Sequence, residues 1–483
     1  GTGDDYALYS GVIDPRFWLV PHDMDTVLGQ GDHSYEPQRD IWVYAQVSGL
    51  RRLLNHPEVT RLYYRQCRDL ARTVFAPASF DPLVDRFLAD WVPDSEINSA
   101  RGIRQFVRDR VNSVLDGGYP DADTSPQIPQ SFAILGPDVV GEYPYTTRNT
   151  TALTGTANAI EVRSVCVNGV PVDESDWSQK DGTWSMDDVA LNPGINRVIV
   201  QTFDGPGGAG EELERGHIDI WYDDGDMAAI GGTIANDTLL DSASGPWLIR
   251  TILIVEAGAT LAVGPGATLF FEEGTGIEVR QGGRLAIEGT PYQRVRLAHV
   301  PNGTGQWEGI RFDDSLEDNR LYCVDMESGD GQGESVDVQH SRVELDNVTW
   351  AGTNTRILNV DHPTVIARDC VFPSISGAEP IHGVGLTGDE RLVFERCTFG
   401  TATGYNDVID FAGGQRPGPI VQIYDSVFLG GGDDGPDLDG ADAHIEGNVF
   451  VHFNRNQGGD STSNAIATGR DGVLRMFSMR TLP

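Results

Sequence analysis

A short pattern recurs through the last third of the chain, and that repeat limits the possible folds more than any local preference does. It is carried by Leu345-Asp346-Asn347-Val348-Thr349-Trp350, Ala367-Arg368-Asp369-Cys370-Val371-Phe372, Phe394-Glu395-Arg396-Cys397-Thr398-Phe399, Ile423-Tyr424-Asp425-Ser426-Val427-Phe428 and Ile445-Glu446-Gly447-Asn448-Val449-Phe450. The aromatic returns at 350, 372, 399, 428 and 450, giving periods of 22, 27, 29 and 22 residues. One solenoid turn of short strands has that length, with insertions taken up in loops. Each turn leaves its inward side chains unburied until the next turn stacks on it. The leucines and helical halves of a leucine-rich repeat are missing. The pattern therefore predicts a right-handed parallel β-helix over residues 230–483.

Upstream turns fit the same reading. Leu253–Leu261 and Val263–Leu269 alternate strand with glycine turn, and Arg284–Pro291 and Trp307–Ile310 follow suit. These segments resemble the opening of bacterial, pectate-lyase-like β-helix domains. Trp307, Trp350 and the repeated Phe residues are expected as core stacks rather than sugar platforms. Cys370 and Cys397 share a register on successive turns, so they should stack about 4.8 Å apart. Either a buried thiol ladder or a disulfide satisfies that spacing.

Two further regions precede the repeat. From Ala45 to Leu115 apolar residues fall at helical spacing, with Asp81 expected as an N-cap before Pro82 and a last helix from about Ser99. Residues 123–130 are rich in Pro, Ser and Asp and read as a linker. Residues 131–226 alternate short strands with turns, including Ala159–Val162, Val165–Val167 and Arg197–Val200. Asn168-Gly169 marks a hairpin. Ninety residues of this kind favour a β-sandwich, and the phrase from Val165 to Asp204 resembles the Ig-like modules of secreted bacterial glycan-handling proteins. The fold class expected for the whole is multidomain and mainly β: an α+β portion over 1–122, a sandwich, and a β-helix.

The α+β portion carries the most specific motif. Asp5-Tyr6-Ala7-Leu8-Tyr9 leads through Phe17-Trp18-Leu19-Val20 to Pro21-His22-Asp23-Met24-Asp25 and Gly29. That order resembles the C-terminal third of the CotH kinase-like family, as does the later stretch from Asn55 to Phe75. The resemblance implies Mg²⁺ held by Asp5, Asp23 and Asp25, with ATP in the intact parent. It also implies that the phosphate-binding lysine and catalytic aspartate lie before Gly1, so this piece alone should be inactive. His22 departs from the family's usual Trp, and Asp5 stands where the family usually has Asn.

Charge narrows the partners. The formal net charge is −37 with only one lysine, Lys180. Such a field repels nucleic acid and anionic membranes, and no apolar run reaches membrane-spanning length. Divalent cations suit it better. Asp433, Asp434, Asp437, Asp439 and Asp442 crowd into one expected turn, and Asp437 and Asp439 should share a strand face. Three readings stay open for them: a Ca²⁺ site, a solvated acidic turn, or an acid–base pair acting on a glycosidic bond. His340, His362, His382 and His444 show no ligand spacing and are expected to be ordinary.

Five scattered cysteines form neither a zinc motif nor a disulfide framework. Both ends read as cut. The functional expectation is a fragment of an extracellular or surface bacterial protein whose β-helix binds polysaccharide or a surface protein. Its rivals are a β-helix lyase or hydrolase and a purely adhesive protein.

Overall fold

The computed structural model describes residues 6–13, 16–21, 28–29, 36–43, 45, 47–99, 102–303, 305–453 and 463–469. The chain is mainly β and forms two compact units. One comprises residues 1–135, 152–189 and 199–217; the other comprises 136–151, 190–198 and 218–483. No helix among the described residues is long and apolar enough to cross a membrane.

In the first unit, strands Tyr6–Ser10 and Phe17–Pro21 pair antiparallel with Tyr9 opposite Trp18. Helices follow at Ser48–Leu54, Pro57–Arg72, Pro77–Leu88, Asp94–Ile97 and Ile103–Leu115. Asp81 is not an N-cap. Pro77 takes the first helical position, which needs no N–H donor, so the helix begins earlier and runs through Pro82. Asp81 instead pairs with Arg104 and Arg108 at 3.6 and 2.7 Å. The expected helix from Ser99 starts only at Ile103, after a separate turn of helix.

Ala159–Val162 also departs from expectation: it is a turn, not a strand. The Asn158 side chain accepts the N–H groups of Ile160 and Glu161, the local competition with strand pairing that Asn favours. Ile160 then packs with Tyr64, Val114 and Ile128 in a buried cluster, so the expected linker contributes a fully buried side chain. The Asn168-Gly169 hairpin forms as read, with φ of 48° and 76° and Val167 opposite Val170.

The second unit holds a parallel β-solenoid of about nine turns. Each turn contributes strands to three faces. The first face runs through Thr268–Phe271, Val295–His299, Val371–Phe372, Thr398–Phe399, Val427–Phe428 and Val449–Phe450. The second runs through Ile277–Val279, Ile310–Asp313, Glu334–Gln339, Arg356–Asp361, Ile381–Val384, Ile409–Ala412 and Pro436–Asp439. The third includes Arg284–Glu288, Thr364–Arg368, Arg391–Glu395, Val421–Tyr424 and Ala443–Glu446. Asn319–Glu327 and Arg342–Ala351 bend from the third face to the first.

Period-two alternation sends every second side chain inward. On the second face, Val279, Phe312, Val338, Val360, Gly383, Phe411 and Leu438 make one inward ladder. Gly383 keeps it packable: a Cβ there would lie 2.2 Å from Val360 Cγ2 and 3.3 Å from Phe411. The repeated aromatics stack as expected, with centroids at 5.0, 4.9, 4.4 and 4.7 Å from Trp350 through Phe372, Phe399 and Phe428 to Phe450. Trp307 stacks on Phe271 at 4.1 Å. Cys370 and Cys397 are buried free thiols within this core, the ladder rather than the bridge.

Candidate functional site

The outward row of the second face is polar along almost its whole length. Glu278, Arg311, Asp337, Asn359, His382, Asp410 and Asp437 occupy successive registers of one column. The early part is knit together by complementary groups. Arg311 lies 3.7 Å from Asp337, Asn359 donates to Asp337 at 2.9 Å, and His382 Nδ1 stands 3.3 Å from Asn359 Oδ1. His382 Nε2 then approaches Asp410 at 3.8 Å.

Beyond His382 the row changes character. Asp410 and Asp437 are directly opposed on neighbouring strands, and Asp439 follows on the same outward side of its strand. Like charges placed opposite one another destabilise a sheet. The loop entering this face brings up more acid. Ligand-capable atoms of Asp407, Asp433 and Asp434 lie within 4.8 Å of one another, as do those of Glu379, His382 and Asp410. Asp407 Oδ1 accepts the Asp434 N–H at 2.8 Å, while Asp434 Oδ1 accepts from Asn464.

The crowding shows in the protonation of these groups. Burial, then Asp437, Asp433 and Asp434, push the Asp407 carboxyl up to about 7, although the Asp434 N–H pulls the other way. Burial and then Asp439, Asp434, Asp410 and Asp433 lift Asp437 to about 6. Asp410 is raised too, by burial first and Asp439 second, with His382 and Arg356 opposing. Glu379 is raised by burial and by Asp410. Carboxyls in this condition hold their protons as acids; a cation bound among them would favour the ionised form and displace those protons to water.

The residues singled out from sequence divide accordingly. Asp433, Asp434, Asp437 and Asp439 stand together, and the last two share a strand face as expected. Asp442 does not join them. It lies past Gly440 at the next corner, where it accepts the Arg416 N–H at 2.8 Å and approaches the Arg416 guanidinium at 3.9 Å. The crowding along the sequence overstated the cluster because the solenoid turns a corner inside it. Asp5, Asp23 and Asp25 lie outside the described residues.

Sequence reading missed Asp407, Asp410, Glu379 and His382. A signal existed: Asp410 precedes Asp437 by 27 residues, one of the repeat's own spacings. His382 is a member of the row. The donor set is mostly carboxylate oxygen on two adjacent turns, which fits a hard cation of flexible coordination such as Ca²⁺. No protein-family model matches the chain, and a comparison with curated proteins finds no match.

Proposed function

We propose that the solenoid is a scaffold that binds glycan or other surface material through this acidic face, with Ca²⁺ as the coordinating ion. The observation that carries the reading is Asp410 opposed to Asp437, flanked by Asp407, Asp433, Asp434 and Asp439. A sheet ordinarily opposes unlike charges; a stack of acids gains its stabilising partner from a bound cation. The neutral and mixed part of the row, from Arg311 to His382, supplies hydrogen-bonding groups at the strand spacing beside that ion. Calorimetry of the chain with CaCl₂ should show a binding heat that Asp410→Asn and Asp437→Asn weaken. Retention on insoluble polysaccharide should follow Ca²⁺ and be reversed by chelation. Equal heats for wild type and both variants sink the reading.

A second reading is favoured by the difference between carboxyls of one cluster. Burial first pushes the Asp407 carboxyl up to about 7, against about 6 for Asp437 on the same turn-to-turn cluster. A protonated acid beside an ionised carboxylate is the pairing glycoside cleavage uses. Release of reducing or unsaturated ends from acidic or neutral polysaccharide, lost in Asp407→Asn, would establish it; no release in the wild type ends it.

In this proposal the chain belongs to a secreted or surface bacterial multidomain protein. Residues 1–122 correspond to the last third of a CotH-type kinase domain, with Mg²⁺ at Asp5, Asp23 and Asp25, and residues 131–226 to an Ig-like module. The support is the motif from Asp5 to Gly29 and the hard oxygen donors it offers to Mg²⁺. Upstream coding sequence without a phosphate-binding lysine and a catalytic aspartate would remove the kinase part.

A further inference from the structure

A different corner of the solenoid brings together a ligand set of another chemical class. Where the second face turns into the third, one residue per turn takes a left-handed backbone: His340 at φ 44°, His362 at 48°, Gly385 at 77° and Gly413 at 96°. Their amides form a ladder. His340 N donates to Asp361 O at 2.8 Å, His362 N to Val384 O at 3.1 Å, and Gly385 N to Ala412 O at 2.8 Å. Glycine is the unstrained choice for such a corner, and later turns use it. Two turns carry histidine instead, at the cost that left-handed backbone imposes on a side chain.

The two imidazoles stack with centroids 5.1 Å apart and planes 14° from parallel. Asp361 precedes His362, and its carboxylate is 4.0 Å from His362 Nε2. One donor atom from each of His340, Asp361 and His362 lies within 4.8 Å of the others. The ring of His362 is also oriented from its other side. Its Nδ1 is 3.1 Å from Glu390 Oε2, and that same oxygen accepts from the Thr387 N–H and hydroxyl. A carboxylate accepting Nδ1–H fixes the tautomer and leaves the Nε2 lone pair for a metal, the arrangement seen behind metal-bound histidines. Gly385 contributes space: a Cβ there would sit 2.8 Å from His362 Nε2.

We propose that His340, His362 and Asp361 bind a divalent transition metal of the Zn²⁺ class, with Glu390 as the positioning carboxylate behind His362. Two imidazoles and one carboxylate select borderline metals over Ca²⁺ and Mg²⁺, which take oxygen donors. Ligands at about 2.0–2.2 Å from zinc require closer approach than the present spacing. The exposed His340 ring supplies it by rotation about its side-chain torsions, whose ring torsion is broad. The site ties two successive turns together and leaves coordination positions open to a solvent or substrate oxygen. It is distinct from the acidic row in residues and in metal preference.

The test uses the full chain without an affinity tag, titrated calorimetrically with ZnCl₂ and followed by Co²⁺ absorption in the visible. His340→Gly and His362→Gly suit the test, because glycine meets the left-handed corner without strain and the fold is kept. Wild type should bind one Zn²⁺ with CaCl₂ in excess. Each glycine variant should lose the visible Co²⁺ band, and Glu390→Gln should weaken binding roughly 10–100-fold. Asp437→Asn should leave the zinc heat unchanged. No zinc heat in the wild type overturns the proposal. So does a heat that persists in His340→Gly, or one that Ca²⁺ abolishes, since the ion would then sit on the acidic row.

Discussion

The first and second faces of the solenoid are built by the same ladder of strands, yet the first face and the late turns of the second handle charge in opposite ways. On the first face, Leu248, Phe270 and Ala298 point outward but are covered by Tyr143, Ile195 and their neighbours. Charges that fall under this cover are matched one to another. Asp325, with 3% of its side chain exposed, accepts from Arg294 at 2.9 Å, Arg197 at 2.7 Å and Thr349 at 2.6 Å. Arg197 holds Asp219 with two bonds of 2.8 Å, and Arg296 bridges Asp219 and Glu327 at 3.1 and 2.6 Å. Tyr143 donates to Glu327. On the second face, Asp410, Asp437 and Asp439 stack acid against acid, half-buried or exposed. Burial forces charges to pair, because an unpaired one costs several kcal/mol. Where water reaches, like charges persist.

The sharpest way to break this contrast is to remove one acid from each face. Asp325→Ala leaves Arg294 and Arg197 without their shared carboxylate in a buried setting, and should cost about 3–5 kcal/mol. Asp437→Ala, without added cation, removes a repelled charge and should leave the melting temperature unchanged or higher. Thermal melts of both variants at pH 7 check the pair. A large loss from Asp437→Ala would mean that the acidic row is structural.

Next in size is the effect of the ion itself. A ligand that binds only the folded chain, at a hundredfold excess over its Kd, adds about 2.7 kcal/mol. CaCl₂ should therefore raise the wild-type melting temperature and do little for Asp437→Asn or Asp410→Asn. The paired face predicts no such response, so Asp325→Asn should keep its Ca²⁺ shift on top of a lowered baseline.

The pH dependence is smaller and has a definite sign. Asp407 holds its proton up to about 7 when folded, against 3.8 for the free group. Between those values the unfolded chain ionises while the folded one does not, so this group's contribution is full below pH 4 and is lost as pH rises to 7. In chelator, Asp407→Asn should flatten the fall in stability over that window, and Ca²⁺ should reverse it. An unchanged slope in the variant would show that Asp407 is not the group responsible.

These contrasts were only partly legible in the sequence. The repeat gave the stacked aromatics directly, because the period returns an apolar ring to the same inward position on each turn. Asp437 and Asp439 were legible by alternation. Asp407, Asp410 and His382 were not, since they come from earlier turns 27 or more residues back. Contact between them depends on register, which varying loop lengths hide. His340 and His362 are separated by 22 residues, the same interval as Trp350 and Phe372. A search for ligand spacing on one helix or strand passes over such a pair. Asn158 shows the reverse failure: an apolar run read as a strand became a turn through one side chain.

The smallest expected effect concerns Arg396, which pairs with Asp369 at 2.8 Å on the outside of the solenoid and also meets Glu395. The hydrogen bond and charge of Asp369 push its guanidinium above the ordinary range. On the buried face a comparable pair anchors several strands; here both partners are nearly half exposed, and water and salt screen the attraction. Arg396 also sits at φ 52°, so the side chain carries backbone strain that a glycine would relieve. The two contributions oppose one another. Arg396→Gly should then melt within error of wild type, at low and at high salt alike, whereas Arg294→Gly on the first face should not. A clear, salt-sensitive loss from Arg396→Gly would mean that exposure is not what separates the two faces, and that pairing matters wherever the ladder places unlike charges.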